Sequence, residues 1–147
     1  MITPEQIEDA AVEALRSAMP YCGAVETYAG QLEGEIEQLP ITYPSLFLFY
    51  GGSVFEWVDE KTHNETATLS VMVCAKNLRS REASRKDPKG AYRLIKETLL
   101  ALTNKTLGLD MERLRPVRVS LIFAKKGIAI YGIDFQASFD NTYEGGE

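Results

Sequence analysis

Few side chains in this sequence could carry acid–base chemistry. His63 is the single histidine in a chain of 147 residues, and it lies in the polar segment EKTHNE. A serine hydrolase triad would have to use it, yet no G-x-S-x-G motif supplies the nucleophile. A solvated surface histidine is therefore the simpler interpretation. We expect no catalytic residue here.

Carboxylates and thiols give the same result. Acids cluster at residues 33–37 (EGEIE) and at Asp59-Glu60, but adjacent acids in short polar segments are typical of solubilising faces, not of a hydrolytic pair. Cys22 and Cys74 are too few for a disulfide framework or a four-ligand zinc site, so we expect reduced thiols. Phosphate-loop, dinucleotide, zinc-protease and calcium-loop motifs are missing. The sequence predicts no cofactor and no metal site.

A basic segment is the one stretch whose composition suggests a binding partner. Between residues 76 and 93 only Glu82 and Asp87 oppose seven cations, which are Lys76, Arg79, Arg81, Arg85, Lys86, Lys89 and Arg93. A hydrated loop, a nucleic-acid contact and a protein contact remain open. Aromatic residues that stack on bases are absent from the loop apart from the nearby Tyr92, whereas arginines pair well with carboxylates. The candidate interface with a subunit or partner is Arg79, Arg81, Arg85, Lys86, Lys89 and Arg93.

Charge is distributed unevenly along the chain. The net charge is −5, which argues against a general binder of nucleic acid or of anionic membranes. Residues 1–75 hold 12 acids and 2 bases, while residues 76–96 hold 2 acids and 8 bases. This split is either a property of solvated surfaces or a sign of head-to-tail association, in which one face attracts a different face of the next subunit.

Length and composition predict one folded domain. A chain of 147 residues with 45% hydrophobic and 25% charged residues falls in the globular range. The acidic N-terminus lacks a signal-peptide pattern, and no apolar run reaches the 18 residues of a membrane span. We expect a single domain over 1–147, with a structured core at 1–139 and a flexible tail at 140–147.

Two helices are predicted to flank the strands. Thr3-Pro4 with Gln6 forms a capping box for a helix over about 4–19. Asp87-Pro88 opens a second helix that ends near Asn104. After it, Leu107, Leu109, Met111 and Leu114 are expected to plug the core.

Alternation of apolar and polar residues predicts a sheet. SLFLFY at 45–50 is apolar on both faces, so it is covered twice within the monomer or lies near a subunit interface. We expect a glycine bulge at 51–52 and a hairpin turn near residue 60. The predicted strands are 25–28, 45–50 with extended character continuing at Val54, Phe55 and Trp57, 66–75, 117–123 and 128–139, with a Lys125-Lys126-Gly127 turn before the last. The fold class is α+β, a mostly antiparallel, mixed sheet packed with two main helices.

Several segments together resemble the Mu-like prophage virion proteins. They are NLRSREA (77–83), GAYRLI (90–95), LRPVRVSLIF (114–123) and IAIYGIDFQASF (128–139), with IEDAAVEAL and VETYAGQLE nearer the N-terminus. The segment at 51–65, GGSVFEWVDEKTHNE, resembles nothing in that family and carries no functional inference.

The resemblance implies a structural virion protein of a contractile-tailed phage, and a tail-terminator-like fold. Such a protein forms a hexameric ring at the head-proximal end of the tail tube and sheath, stops tube growth and allows head–tail joining. The implied partners are further copies of the chain, tail tube and sheath proteins, and neck or connector proteins, with DNA only passing through the ring. It would be assembled in the host cytoplasm and would reside in the virion tail.

Two alternatives remain open at this point. One is a neck or baseplate assembly protein. The other is a small regulatory module that binds nucleic acid through the basic loop at 76–93.

Overall fold

The computed structural model describes residues 1–77 and 90–143. In these ranges the chain forms helices α1 (Pro4–Ala18) and α2 (Ala91–Leu102), a 3-10 turn at Ile36–Gln38, and strands β1 (Ala24–Thr27), β2 (Ser45–Trp57), β3 (Thr62–Lys76), β4 (Arg115–Lys125) and β5 (Ile128–Thr142). The strands form one sheet in the order β1-β2-β3-β5-β4, in which β1 is parallel to β2 and the other neighbours are antiparallel. The predicted α+β class with a mixed sheet is confirmed.

The predicted cap opens α1. The Thr3 hydroxyl accepts a hydrogen bond from the Gln6 amide at 3.3 Å, and the Gln6 side chain accepts one from the Thr3 amide at 2.9 Å. Both ends of this capping box satisfy amides that the first helical turn leaves without a partner. The helix then buries one stripe of residues, which are Ile7, Ala11, Val12 and Leu15.

The start of α2 differs from the prediction. Gly90 is the N-cap and has extended backbone angles (φ −80°, ψ 175°), so the helix begins at Ala91. The predicted opening residues, Asp87 and Pro88, lie outside the described residues. Glycine loses more backbone entropy in a helix than any other residue and is accepted as an N-cap, so a boundary at Gly90 is physically reasonable.

Both helices pack on one face of the sheet. We call this the helix face; it buries side chains of β2, β3 and β5 together with Leu94 and Leu102 of α2. Its largest fully buried strand residues are Leu46, Leu48, Leu69, Val71, Ile133 and Phe135. Met111 and Leu114 are buried in the same core, with Leu107 and Leu109 packed against it, as predicted.

The opposite face of the sheet is covered in part by the segment between β1 and β2. Phe47 is 2% exposed, and Phe47 and Phe49 pack with Tyr28, Leu32, Ile36, Ile41 and Tyr43. The SLFLFY strand is therefore covered on both faces within the monomer. That result decides between the two alternatives left by the sequence.

Glycines shape a bulge in β2 and the turn between β4 and β5. The register of β2 shifts between Tyr50 and Gly52, where Gly52 has φ +113°, and this is the predicted bulge. At the β4–β5 turn, Lys126 and Gly127 have φ +52° and +78°. A Cβ on Gly127 would clash with the backbone oxygen of Asn77, so this turn requires glycine.

The last strand runs beyond the predicted end of the core. β5 extends to Thr142, and Asn141 is 3% exposed. The Asn141 side chain accepts a hydrogen bond from the Ile2 amide at 3.0 Å and donates one to the Ile2 carbonyl at 3.2 Å. Residues 140–142 therefore belong to the sheet and not to a tail. Residues 144–147 lie outside the described ranges.

Candidate assembly surfaces

Of the predicted interface cations, Arg93 is the one that lies among the described residues. Arg79, Arg81, Arg85, Lys86 and Lys89 lie outside the described residues, whereas Arg93 is on the first turn of α2 and is half exposed. Lys76, at the start of the basic segment, ends β3 and places its ammonium 5.8 Å from the centre of the Tyr43 ring.

Arg93 belongs to a polar network that joins the end of α1 to α2. Its guanidinium pairs with Glu97 one turn later, and the Tyr21 hydroxyl donates a hydrogen bond to the same carboxylate at 2.8 Å. The Tyr21 hydrogen bond and the Arg93 charge hold the pKa of Glu97 below its usual range. Burial and the Glu97 carboxylate raise the pKa of Tyr21. Arg93 is thus already engaged within its own subunit.

The acidic cluster at 33–37 has a structural partner. Glu37 forms ion pairs with Lys125 at 3.3 Å and with Lys126 at 4.0 Å. A backbone hydrogen bond and the Lys125 ammonium lower its pKa. These ion pairs hold the segment that covers the second sheet face against the β4–β5 turn.

His63 does not occupy the solvated turn that the sequence suggested. It lies in β3, half buried, between Trp57 and Asn141 on the neighbouring strands. Its ring stands edge-on to Tyr143, with 5.6 Å between ring centroids. The turn itself is closed by Asp59, whose carboxylate accepts hydrogen bonds from the Lys61 and Thr62 amides at 2.8 Å.

Both cysteines are free. Burial raises the pKa of the Cys74 thiol to about 12 and that of the Cys22 thiol to about 11. Both side chains are therefore neutral thiols near pH 7, which makes them poor nucleophiles.

Within residues 1–77 and 90–143, no group of three or more His, Cys, Asp or Glu side chains could hold a metal ion. In the same ranges, no helix is long and apolar enough to cross a membrane.

The tip of the β2–β3 hairpin forms a surface that sequence reasoning missed. We call residues 53–61 the arm. β1 pairs with β2 only from Ser45 to Leu48, so in the arm no strand of the described chain lies beside β2 on the side away from β3. Four apolar side chains there are 57–69% exposed, namely Val54, Phe55, Trp57 and Val58. Glu56, Asp59 and Glu60 add negative charge to the same tip.

A buried polar network holds the base of the arm. Glu65 is 6% exposed and accepts hydrogen bonds from the Ser53 hydroxyl at 2.7 Å and from the Asn141 amide at 3.1 Å. The Tyr50 and Ser53 hydroxyls are also hydrogen bonded to each other. Because Asn141 binds Ile2 as well, the network joins the arm, the N-terminus and β5. A buried carboxylate with these partners fixes the direction in which the arm leaves the sheet.

The second exposed surface is the outer strand of the sheet. We call residues 115–125 the β4 edge. Its alternating apolar residues predict a strand with one buried face, yet Val117, Val119, Leu121 and Ile122 are 42–56% exposed and Phe123 alone is partly covered. Two bulges interrupt its pairing with β5, one between Pro116 and Arg118 and one between Leu121 and Phe123. A long apolar edge strand is an open site for pairing with another chain.

Comparison with known proteins gives one family. A family model described as Bacteriophage Mu, Gp37 matches residues 1–140. The matched range includes the arm and the β4 edge. No curated protein matches the chain.

Proposed function

The chain belongs to the Bacteriophage Mu Gp37 family, and from this premise we propose that it is the tail terminator of a Mu-like phage. The match over residues 1–140 carries the proposal, because it makes the chain a structural or assembly protein of such a phage. In the proposed role, subunits form a hexameric ring on the head-proximal end of the tail tube and sheath. The ring stops tube growth and prepares the tail for joining to the head.

The physical requirements of termination agree with this type of subunit. A tube grows by adding identical rings, so a stop requires a ring that binds the last layer through one face and does not repeat the tube's own face above it. Such a subunit needs a rigid framework and exposed contact surfaces. The doubly covered β2 and the buried ladder between β3 and β5 supply the framework. The arm and the β4 edge supply apolar surface that the monomer leaves open.

The proposal includes the partners of the ring. They are other copies of the chain, the tail tube and sheath proteins, and the neck or connector proteins. DNA would pass through the ring without being bound by sequence. The protein would be part of the virion, at the head-proximal end of the tail.

Deletion of the gene in its phage, followed by electron microscopy of the lysate, tests the proposal. Tails of uncontrolled length, or tails of normal length that fail to join heads, are expected, and the wild-type gene supplied in trans should restore normal particles. Lysates without any tube would place the protein in initiation at the baseplate. Normal particles from the deletion phage would overturn the proposal.

We further propose that the role requires no catalysis. His63→Ala is the direct test, because every histidine-dependent mechanism in this chain must use that side chain. The variant supplied in trans to the deletion phage is expected to give the same phage yield as wild type. A loss of phage with a normally folded His63→Ala protein would revive an enzymatic role.

A further inference from the structure

The two open surfaces lie on opposite edges of one sheet. In the strand order β1-β2-β3-β5-β4, the arm is the free edge on one side, because the pairing of β1 with β2 stops at Leu48, and β4 is the free edge on the other. Within the described chain, neither edge has a strand beside it to bind its outward amides and carbonyls. Each edge also exposes four large apolar side chains. Edges of this kind bind or aggregate unless they are covered.

Cross-strand pairing shows that two exposed apolar residues of each edge lie on the same face of the sheet. Residues directly opposite each other in a ladder project to the same side. Phe55 pairs with Glu65 and Trp57 with His63, which puts them in line with Leu69 on the helix face. Val119 pairs with Ile133 and Leu121 with Tyr131, which puts them on the helix face as well.

The strand directions also allow the arm of one copy to pair with the β4 edge of another. Three successive antiparallel steps, from β2 to β3 to β5 to β4, make β2 and β4 run in opposite directions. A second copy placed beside the first, without being turned over, would therefore bring its arm antiparallel to the β4 edge. In that arrangement the helix faces of the two sheets are continuous.

The charges of the two edges are complementary. The β4 edge contains three bases and no acid, and the bases are Arg115, Arg118 and Lys125. Within the subunit Arg118 pairs with Asp134 at 3.1 Å and Lys125 with Glu37 at 3.3 Å, so these two bases are partly neutralised. The arm contains Glu56, Asp59 and Glu60 against Lys61. Glu56 pairs with Asn64 and Arg118 pairs with Asp134, so Glu56 and Arg118 both project from the face opposite the helices. Opposite charges of the two edges would therefore meet on that face as well.

We propose that the arm of one copy pairs with the β4 edge of the next copy, so that the sheet continues head to tail through the assembly. The occupant of each edge is a second copy of this chain. Since the two surfaces differ, the contact leaves one arm and one edge free at the ends of any open oligomer, and these join when the rotation closes. This inference deepens the proposed function and rests on it for closure into a terminator ring.

Two substitutions that introduce like-charge repulsion between the arm and the β4 edge test the contact. Trp57→Lys puts a cation on the arm against the basic edge, and Leu121→Asp puts an anion on the edge against the acidic arm. Each variant alone is expected to be monomeric by analytical ultracentrifugation while the wild-type chain forms oligomers. Leu100→Lys is the matched control, because Leu100 is 68% exposed on α2 outside both surfaces, and it should associate as wild type does.

An equimolar mixture of the two variants then distinguishes a head-to-tail contact from a symmetric one. One intact arm and one intact edge remain in the mixture, so a head-to-tail contact predicts recovered association. A symmetric arm-to-arm or edge-to-edge contact predicts that one variant associates alone and that mixing recovers nothing. Thermal melting shows whether each variant is folded, and Phe55→Lys with Val119→Asp provides a second pair of substitutions.

The inference is overturned if the folded variants associate as wild type does, or if wild-type protein is monomeric at its highest attainable concentration. Failure of the proposed function looks different. A deletion phage with normal tails would remove the terminator role and leave the contact intact. Uncontrolled tail length in the deletion phage, together with normal association of both variants, would remove only the contact.

Discussion

β4 and β5 are hydrogen-bonded neighbours joined by a two-residue turn, and both alternate apolar residues along the chain. Phe135 and Ile133 of β5 are completely buried, whereas Leu121 of β4 is 54% exposed. Among the described residues, the helices α1 and α2 pack mainly on β1, β2, β3 and β5, and most side chains of the strand beyond β5 stay exposed. Alternation therefore predicts that a segment is a strand with an apolar face, but not what covers that face.

The largest expected difference between the two strands is in stability. Phe135→Ala should lower the free energy of unfolding by about 3–5 kcal/mol, because it leaves a cavity in the helix-face core. Leu121→Ala, measured in the same urea titrations on monomeric protein, should change it by no more than about 0.5 kcal/mol. Similar losses at both positions would mean that β4 is covered within the monomer, and the comparison would fail.

The turn that joins the two strands gives the next largest effect. Gly127→Ala should cost about 2 kcal/mol or more, since the residue has φ +78° and its Cβ would clash with the Asn77 backbone. Gly108→Ala is the matched control: Gly108 has φ +75°, but no atom lies within 4 Å of the added Cβ, so about 1 kcal/mol is expected. Equal losses in thermal denaturation would show that the clash relaxes.

The helix cover that protects β5 can be weakened through Tyr21. Tyr21→Phe removes the hydrogen bond to Glu97 and should cost about 1 kcal/mol at neutral pH. The pKa of Glu97 lies below its usual range, so its contribution to stability is present above about pH 4.3 and is lost as the pH falls through the lowered value. The difference between wild type and variant should therefore shrink in acid.

Urea titrations at neutral pH and at about pH 3 measure that change, and Tyr43→Phe is the control. The buried Tyr43 hydroxyl has no hydrogen-bond partner in the described ranges, so its removal should be nearly neutral at both pH values. A Tyr21→Phe loss that does not depend on pH would assign the effect to packing.

A small stability effect is expected for charge reversal in the basic segment. Reversing Arg79, Arg81 and Arg85 to Glu should change the free energy of unfolding by less than about 1 kcal/mol and weaken self-association or tail binding. Reversal of Arg115 and Arg118 on the β4 edge provides the comparison. If the loop reversal abolishes self-association and the β4 reversal does not, the loop carries the subunit contact and the edge does not.

Local signals predicted most of the fold. The Thr3 cap, the strand alternation, the glycine bulge and the turns near residues 60 and 126 were all found where the sequence placed them. The helix α2 begins at Ala91, after the N-cap Gly90, and the predicted opening residues Asp87 and Pro88 lie outside the described residues. The predicted end of β5 was wrong, because the partners that hold Asn141 are Ile2 and Glu65, which lie far away in the sequence.

The assembly surfaces were harder to predict than the fold. Basic residues stand out in composition, so the sequence points to the basic segment at 76–93. The arm and the β4 edge are defined by where β1 and the helices end, which is a property of the tertiary structure. Trp57 and Leu121 look like ordinary core residues in the sequence until that boundary is known.

The central ladder has a consequence for how the chain folds. Lys76 pairs with Ile128 and Thr62 with Thr142, so the paired residues are separated by 52 to 80 positions in the chain. Hairpins with local turns, such as β2–β3 and β4–β5, form in about 1–10 μs, whereas joining them must await closure of a long loop. During that interval β3 and β5 are open edges as well. We therefore expect newly synthesised chains to expose more unpaired strands before this ladder forms than the finished subunit does, and aggregation to compete with folding at that stage.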